Sequence, residues 1–102
     1  MNYLKEEYNI TDEEIDNIVK VLEAAEVNID IFKYNSEKVI AILDLFKNIG
    51  VTNIYEIIIT NPYMFYDPVK NIQVRINAYK DKQQLARMIN QDARNLDLIG
   101  LN

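Results

Sequence analysis

Six cations fall in the last third of the chain: Lys70, Arg75, Lys80, Lys82, Arg87 and Arg94. With Tyr63, Tyr66 and Tyr79 nearby, they have the make-up of a small nucleic-acid patch. In such a patch the cations pair with phosphates and the aromatic rings stack on bases. The same residues also fit a solvated helix surface with half-buried tyrosines, and only those sharing one face could act together. Asp12, Glu13, Glu14 and Asp16 offer carboxylates for a divalent cation. They lack the glycine and the alternating ligand spacing of a calcium loop. Helix capping and the helix dipole account for them without a metal. Asp44, Glu56 and Asp67 are isolated carboxylates with no evident acid/base partner. The chain has no histidine and no cysteine. The commonest general base, the commonest metal ligand, thiolate chemistry and disulfides are therefore all missing. There is no Gly-rich phosphate loop. The expectation is a non-enzymatic protein with no cofactor, no metal and no small-molecule substrate.

The charge is uneven. Residues 1–67 carry 5 Lys/Arg against 13 Asp/Glu, a net −8, while residues 68–102 carry 6 against 3, a net +3. Such asymmetry can mark a surface that faces a partner. With 102 residues the chain is one domain, large enough for a modest core. The first ten residues, MNYLKEEYNI, lack the basic start and apolar core of a signal peptide. No apolar run approaches the ~20 residues of a membrane span. A cytoplasmic protein that does not enter a membrane is expected.

The elements that would position these groups are helices. Thr11 and Glu14 form a potential capping box, with Ile10 and Ile15 placed as a hydrophobic staple. Ile15, Ile18, Val19, Leu22 and Ala25 then follow helical spacing, predicting a helix over 12–26. Residues 27–32 alternate apolar and polar, a strand pattern. No second strand follows, so this stretch reads as a loop whose Ile31 and Phe32 plug the core. Asn35 or Ser36 caps a helix over 36–49, which Gly50 can end in the left-handed conformation. Thr52 can cap a short helix over 53–60, with Ile54, Ile57 and Ile58 inward. Pro62 disfavours helical geometry at Asn61. Asp67-Pro68 can start a helix over 68–80, and Asp81 with Gln84 one over 82–91. The tail Leu96-Asp97-Leu98-Ile99-Gly100-Leu101 is apolar enough to pack back as one last turn.

The pattern recurs. Asn35-Ser36 maps on Asp67-Pro68 at an offset of 32, and Phe32 on Phe65 at 33. Ile54, Ile57 and Ile58 map on Leu85, Met88 and Ile89 at 31, and Phe65 then maps on Leu96. Each unit is a short helix, an apolar plug and a capped longer helix. Such units cannot bury their own apolar faces and need their neighbours.

The stretch from Leu45 to Leu96 resembles the mitochondrial transcription termination factor (mTERF) repeat. The residues that carry the likeness are Ile49-Gly50-Val51, Ile54, Ile57, Ile58, Pro62, Met64-Phe65, Val69, Ile72 and Ile76. One repeat is complete. Its neighbours are degenerate, with Ala93 where a second proline would stand. The resemblance implies an all-α fold, a short right-handed stack of helical hairpins with about two to three repeats. It also implies nucleic-acid binding along a concave, basic face.

Two functions lead, and a third reading, a metal-free enzyme, would require a well-formed pocket lined by convergent carboxylates. The first is a binding module for protein–protein interaction, either with another protein or as a homodimer through the repeat ends. Incomplete terminal repeats and an apolar tail motivate it, because arrays need polar caps or partners. The alternative is weak, sequence-nonspecific nucleic-acid binding, or a transcription-related regulator, through Lys70, Arg75, Lys80, Lys82, Arg87 and Arg94. The acidic first half would repel a polyanion, which puts the protein partner first.

Overall fold

Thr11 and Glu14 set where the first long helix begins. The Thr11 hydroxyl accepts from the Glu14 amide at 3.1 Å, and the Glu14 carboxylate accepts from the Thr11 amide at 2.9 Å. The capping box is closed. In the computed structural model, which describes residues 1–101, a short helix α1 (Asn2–Tyr8) precedes this one, α2 (Asp12–Ala24). Then come α3 (Asp30–Tyr34), α4 (Ser36–Ile49), α5 (Ile54–Thr60), the 3-10 helix η1 (Pro62–Tyr66), α6 (Val69–Ala78), α7 (Lys82–Gln91) and the 3-10 helix η2 (Ala93–Ile99). Among the described residues there is no strand, so the fold is all-α. No helix among them is long and apolar enough to cross a membrane.

Several starts differ from the sequence expectation, each for a local reason. Residues 30–34 are helical rather than loop. The Asn28 side chain accepts from the Asp30 amide at 2.9 Å, and the Asn28 carbonyl from the Ile31 amide at 3.2 Å, which turns the chain into α3. Thr52 does not cap α5. Its amide donates to the Asn90 side chain at 2.9 Å, so α7 holds it, and Asn53 takes the cap position without a capping bond, its side chain donating instead to the Ile89 carbonyl at 2.8 Å. Asp67 closes η1 through its amide, donating to Met64 at 3.0 Å, and α6 starts one residue later, after Pro68. The Asp81 carboxylate does cap α7, accepting from the Gln84 amide at 3.0 Å.

Four turns stop the chain by one device. Asn9, Glu26, Gly50 and Gly100 have φ of 54°, 58°, 108° and 73°. After each comes an apolar residue that is buried: Ile10, Val27, Val51 and Leu101. The amides of Val27, Val51 and Leu101 reach back to the carbonyls of Leu22, Phe46 and Leu96 at 2.9, 3.0 and 3.0 Å. A left-handed residue thus satisfies the orphan carbonyls of the helix end and drives the next side chain inward.

The plugs meet at the centre. Phe32 in α3 and Phe65 in η1 are both fully buried, their ring centroids 4.8 Å apart in an edge-on arrangement at 62°. Leu96 in η2 is also fully buried. Ile57 and Ile58 bury from α5, so the β-branched run is helical and sits in the core. α4 is the hub, packing against α3, α5, η1, α6 and α7. α1 docks on it as well: the Tyr8 hydroxyl donates to the Asp44 carboxylate at 2.9 Å, and Lys47 donates to the Glu7 carbonyl at 3.3 Å.

Candidate functional site

Three of the six cations are tied into the fold. Arg75 donates to the Ile99 carbonyl at 3.2 Å and lies over Gly100, where a Cβ would meet its guanidinium. Lys82 donates to the carbonyls of Asn77 and Tyr79 at 3.4 and 3.2 Å, closing the end of α6. Arg94 pairs with Asp92 at 2.7 Å. That hydrogen bond holds the Asp92 carboxyl below its ordinary value and raises the Arg94 guanidinium. Lys70, Lys80 and Arg87 are exposed and make no side-chain bond or ion pair among the described residues. Half of the candidate patch therefore serves the fold.

The tyrosines serve it too. The Tyr63 hydroxyl donates to the Ala25 carbonyl at 2.8 Å, and the Tyr66 hydroxyl accepts from the Asn28 amide at 2.9 Å. Both tie η1 to the turn between α2 and α3. Tyr79 is half-buried against the core.

The carboxylates are dispersed. Glu14 belongs to the capping box and Asp12 pairs with Lys5 at 2.7 Å. Asp44 accepts from Tyr8. Glu56 borders an open polar cleft of about 350 Å³ together with Asn53, Asn90 and Arg94. Among the described residues no three of the metal-ligating acidic side chains come together.

What the arrangement does leave open is the outer face of α6. Ile72 and Ile76 turn inward and are buried. Val74 lies two positions from each, roughly 160–200° round the helix, and is 58% exposed. On η2, Leu98 is 47% exposed and shares a groove with Arg75 and Ala78 of α6. Arg75, Ala78, Tyr79, Leu98 and Ile99 line a shallow groove of about 230 Å³ between α6 and η2. A second depression of about 270 Å³, at Asn71, Val74 and Arg75, adjoins it through Arg75. From Pro68 to Lys80 there is no carboxylate, only Lys70, Arg75 and Lys80. Sequence reasoning missed Val74 and took Leu98 as part of a tail that packs back. The available signal was Val74 itself, an apolar residue on the polar side of the Ile72–Ile76 stripe.

No protein-family model matches the chain. No curated protein and no solved structure matches it either.

Proposed function

We propose that the chain is a non-enzymatic helical-repeat module of mTERF-like architecture, a right-handed stack of hairpins, that binds a protein partner at its C-terminal end. The repeat reading draws support from the spacing of tertiary hydrogen bonds. Tyr8–Asp44, Asn28–Tyr66, Tyr63–Ala25, Thr52–Asn90 and Asn61–Leu101 span 36, 38, 38, 38 and 40 residues. These spans exceed the 31–33 residue offset of the sequence pattern, and Tyr3–Phe32 and Arg75–Ile99 span only 29 and 24, but clustered separations of about one unit are what stacked units produce. The binding reading rests on one observation, the unequal ends. α1 covers α4 on the N-terminal side and presents Asn2, Lys5, Glu6 and Glu7 to solvent. α6 instead exposes Val74, and η2 exposes Leu98. An apolar break in the otherwise polar outer face of a terminal unit marks a place for a partner. The cysteine-free composition suits a reducing compartment, and we take the cytoplasm as its place of action.

The test is a photo-crosslinking residue placed at Val74 or Leu98, with Glu37 on α4 as the exposed control. Protein adducts at the first two positions and none at the third are expected. Equal labelling, or none, refutes the module. A second reading, weak nucleic-acid binding, is favoured by the carboxylate-free run from Pro68 to Lys80. Mobility shift of a duplex at low salt, abolished by salt and by Lys70→Glu, would promote it above the first.

A further inference from the structure

We infer that the groove between α6 and η2 receives an amphipathic helix with acidic flanks, supplied by another protein. The inference rests on the interaction-module reading above and names the partner's chemistry. Lys70, Val74 and Ala78 follow one another at four-residue spacing and form a ridge along the outer side of α6. The depressions of about 230 and 270 Å³ share Arg75 and follow one another along the same side of that ridge. A ridge with a row of shallow depressions beside it is the complement of another helix lying alongside, whose anchors at i, i+3 or i+4 and i+7 enter the depressions. α1 and α6 already pack on α4, so a helix laid on α6 extends the layer by one more member.

Charge selects the acidic partner. Lys70 and Arg75 lie next to Val74 on α6, Lys80 follows the end of that helix, and α6 carries no carboxylate, while η2 contributes Asp97 alone. Arg75 is held by the Ile99 carbonyl, so its charge is fixed at the groove's centre without being neutralised by an acid. Carboxylates on both flanks of an incoming helix would meet cations, which sets register and speeds encounter.

A second copy of the chain fits less well. Isologous pairing through this face would place Lys70, Arg75 and Lys80 opposite like charges. Head-to-tail pairing would offer it α1, whose exposed residues include Asn2, Lys5, Glu6 and Glu7 but nothing apolar to match Val74 and Leu98.

The experiment uses two fluorescent stapled helices of about four turns. Both carry leucines at i, i+4 and i+7; one has glutamate flanks and the other lysine flanks. Anisotropy titration against the full chain should give binding at least about tenfold tighter for the glutamate helix, and weaker binding as salt screens it. Val74→Asp and Leu98→Asp should each weaken it about tenfold or more. Val74→Lys should weaken it too, although it adds a cation, because the apolar contact is lost. Lys70→Glu should cost severalfold at low salt and less at high salt. Far-UV circular dichroism checks that the variants fold; the reversed-charge peptide on unaltered protein tests the inference whether or not they do. Equal binding of both helices, no binding of either, or no loss in Val74→Lys overturns it. Crosslinks at Val74 with neither helix bound leave the module standing and remove the acidic partner. Absent crosslinks together with no binding remove both. Crosslinks joining two copies of the chain assign the face to self-association and likewise overturn the inference.

Discussion

Truncating Phe65 to alanine should cost about 3–5 kcal/mol. The ring is fully buried and meets Phe32 edge-on at 4.8 Å. Its neighbours come from α3 and α4, so removal leaves a cavity where several elements meet. A domain of this size holds about 5–15 kcal/mol in total, so the variant would be marginal. At about 4–8 °C per kcal/mol, its Tm should fall by at least about 12 °C. Urea unfolding reads the first quantity and a thermal melt the second, both followed by circular dichroism. A gentler cycle isolates the contact between the plugs. Phe32→Leu and Phe65→Leu keep most of the volume and should each cost about 1–1.5 kcal/mol. Together they should cost less than the sum by about 0.5–1.5 kcal/mol, the share of the ring pair. A loss under about 1 kcal/mol for Phe65→Ala, or strict additivity in the leucine cycle, would refute the idea that these plugs hold the stack together.

Other variants test the joints. Asn61→Ala should destabilise by about 1–3 kcal/mol, because Asn61 is buried and donates to the Leu101 carbonyl at 2.7 Å; a neutral result in urea would mean that the C-terminal segment is held elsewhere. Glu26 and Gly50 share left-handed backbone at φ 58° and 108° and should respond with opposite sign: Glu26→Gly gains up to about 1 kcal/mol and Gly50→Ala loses about 1, with thermal melts as the check. Burial pushes the Tyr3 phenol well above its ordinary value, and burial, then the Asp44 hydrogen bond and the Asp44 and Glu7 charges, do the same for Tyr8. The folded state keeps these protons longer than the unfolded chain. The stability they contribute is whole below a pH of about 10 and is lost as pH rises past it, and Tyr3→Phe with Tyr8→Phe should flatten that loss; an unaltered pH profile would contradict the assignment.

Much of the fold could be read from local chemistry. The Thr11–Glu14 box, the Gly50 stop and the Asp81 cap are decided within a few residues, and the structure places them as expected. Ranges 36–49 and 82–91 coincide with α4 and α7. The misses are tertiary. Thr52 has the chemistry of a cap, yet Asn90, 38 residues on, takes its amide. Residues 27–32 alternate like a strand, but Asn28 starts a helical turn and Tyr66 holds the Asn28 amide. The candidate cations were legible as a list and not as a surface. Whether Arg75 binds a ligand or the Ile99 carbonyl depends on where η2 folds back, which no spacing rule encodes. Val74 was visible only as a break in the polar face, and its meaning needed α6 to be the last helix of its layer.

The most direct test of the open-end account is a nitrogen-15 NMR footprint of the glutamate-flanked helix on the full chain. The account predicts shifted amides along α6 from Lys70 to Lys80 and at Leu98 to Leu101, with α2 and α5 unmoved. Shifts centred on α2 and α5, or spread evenly over the molecule, would contradict it.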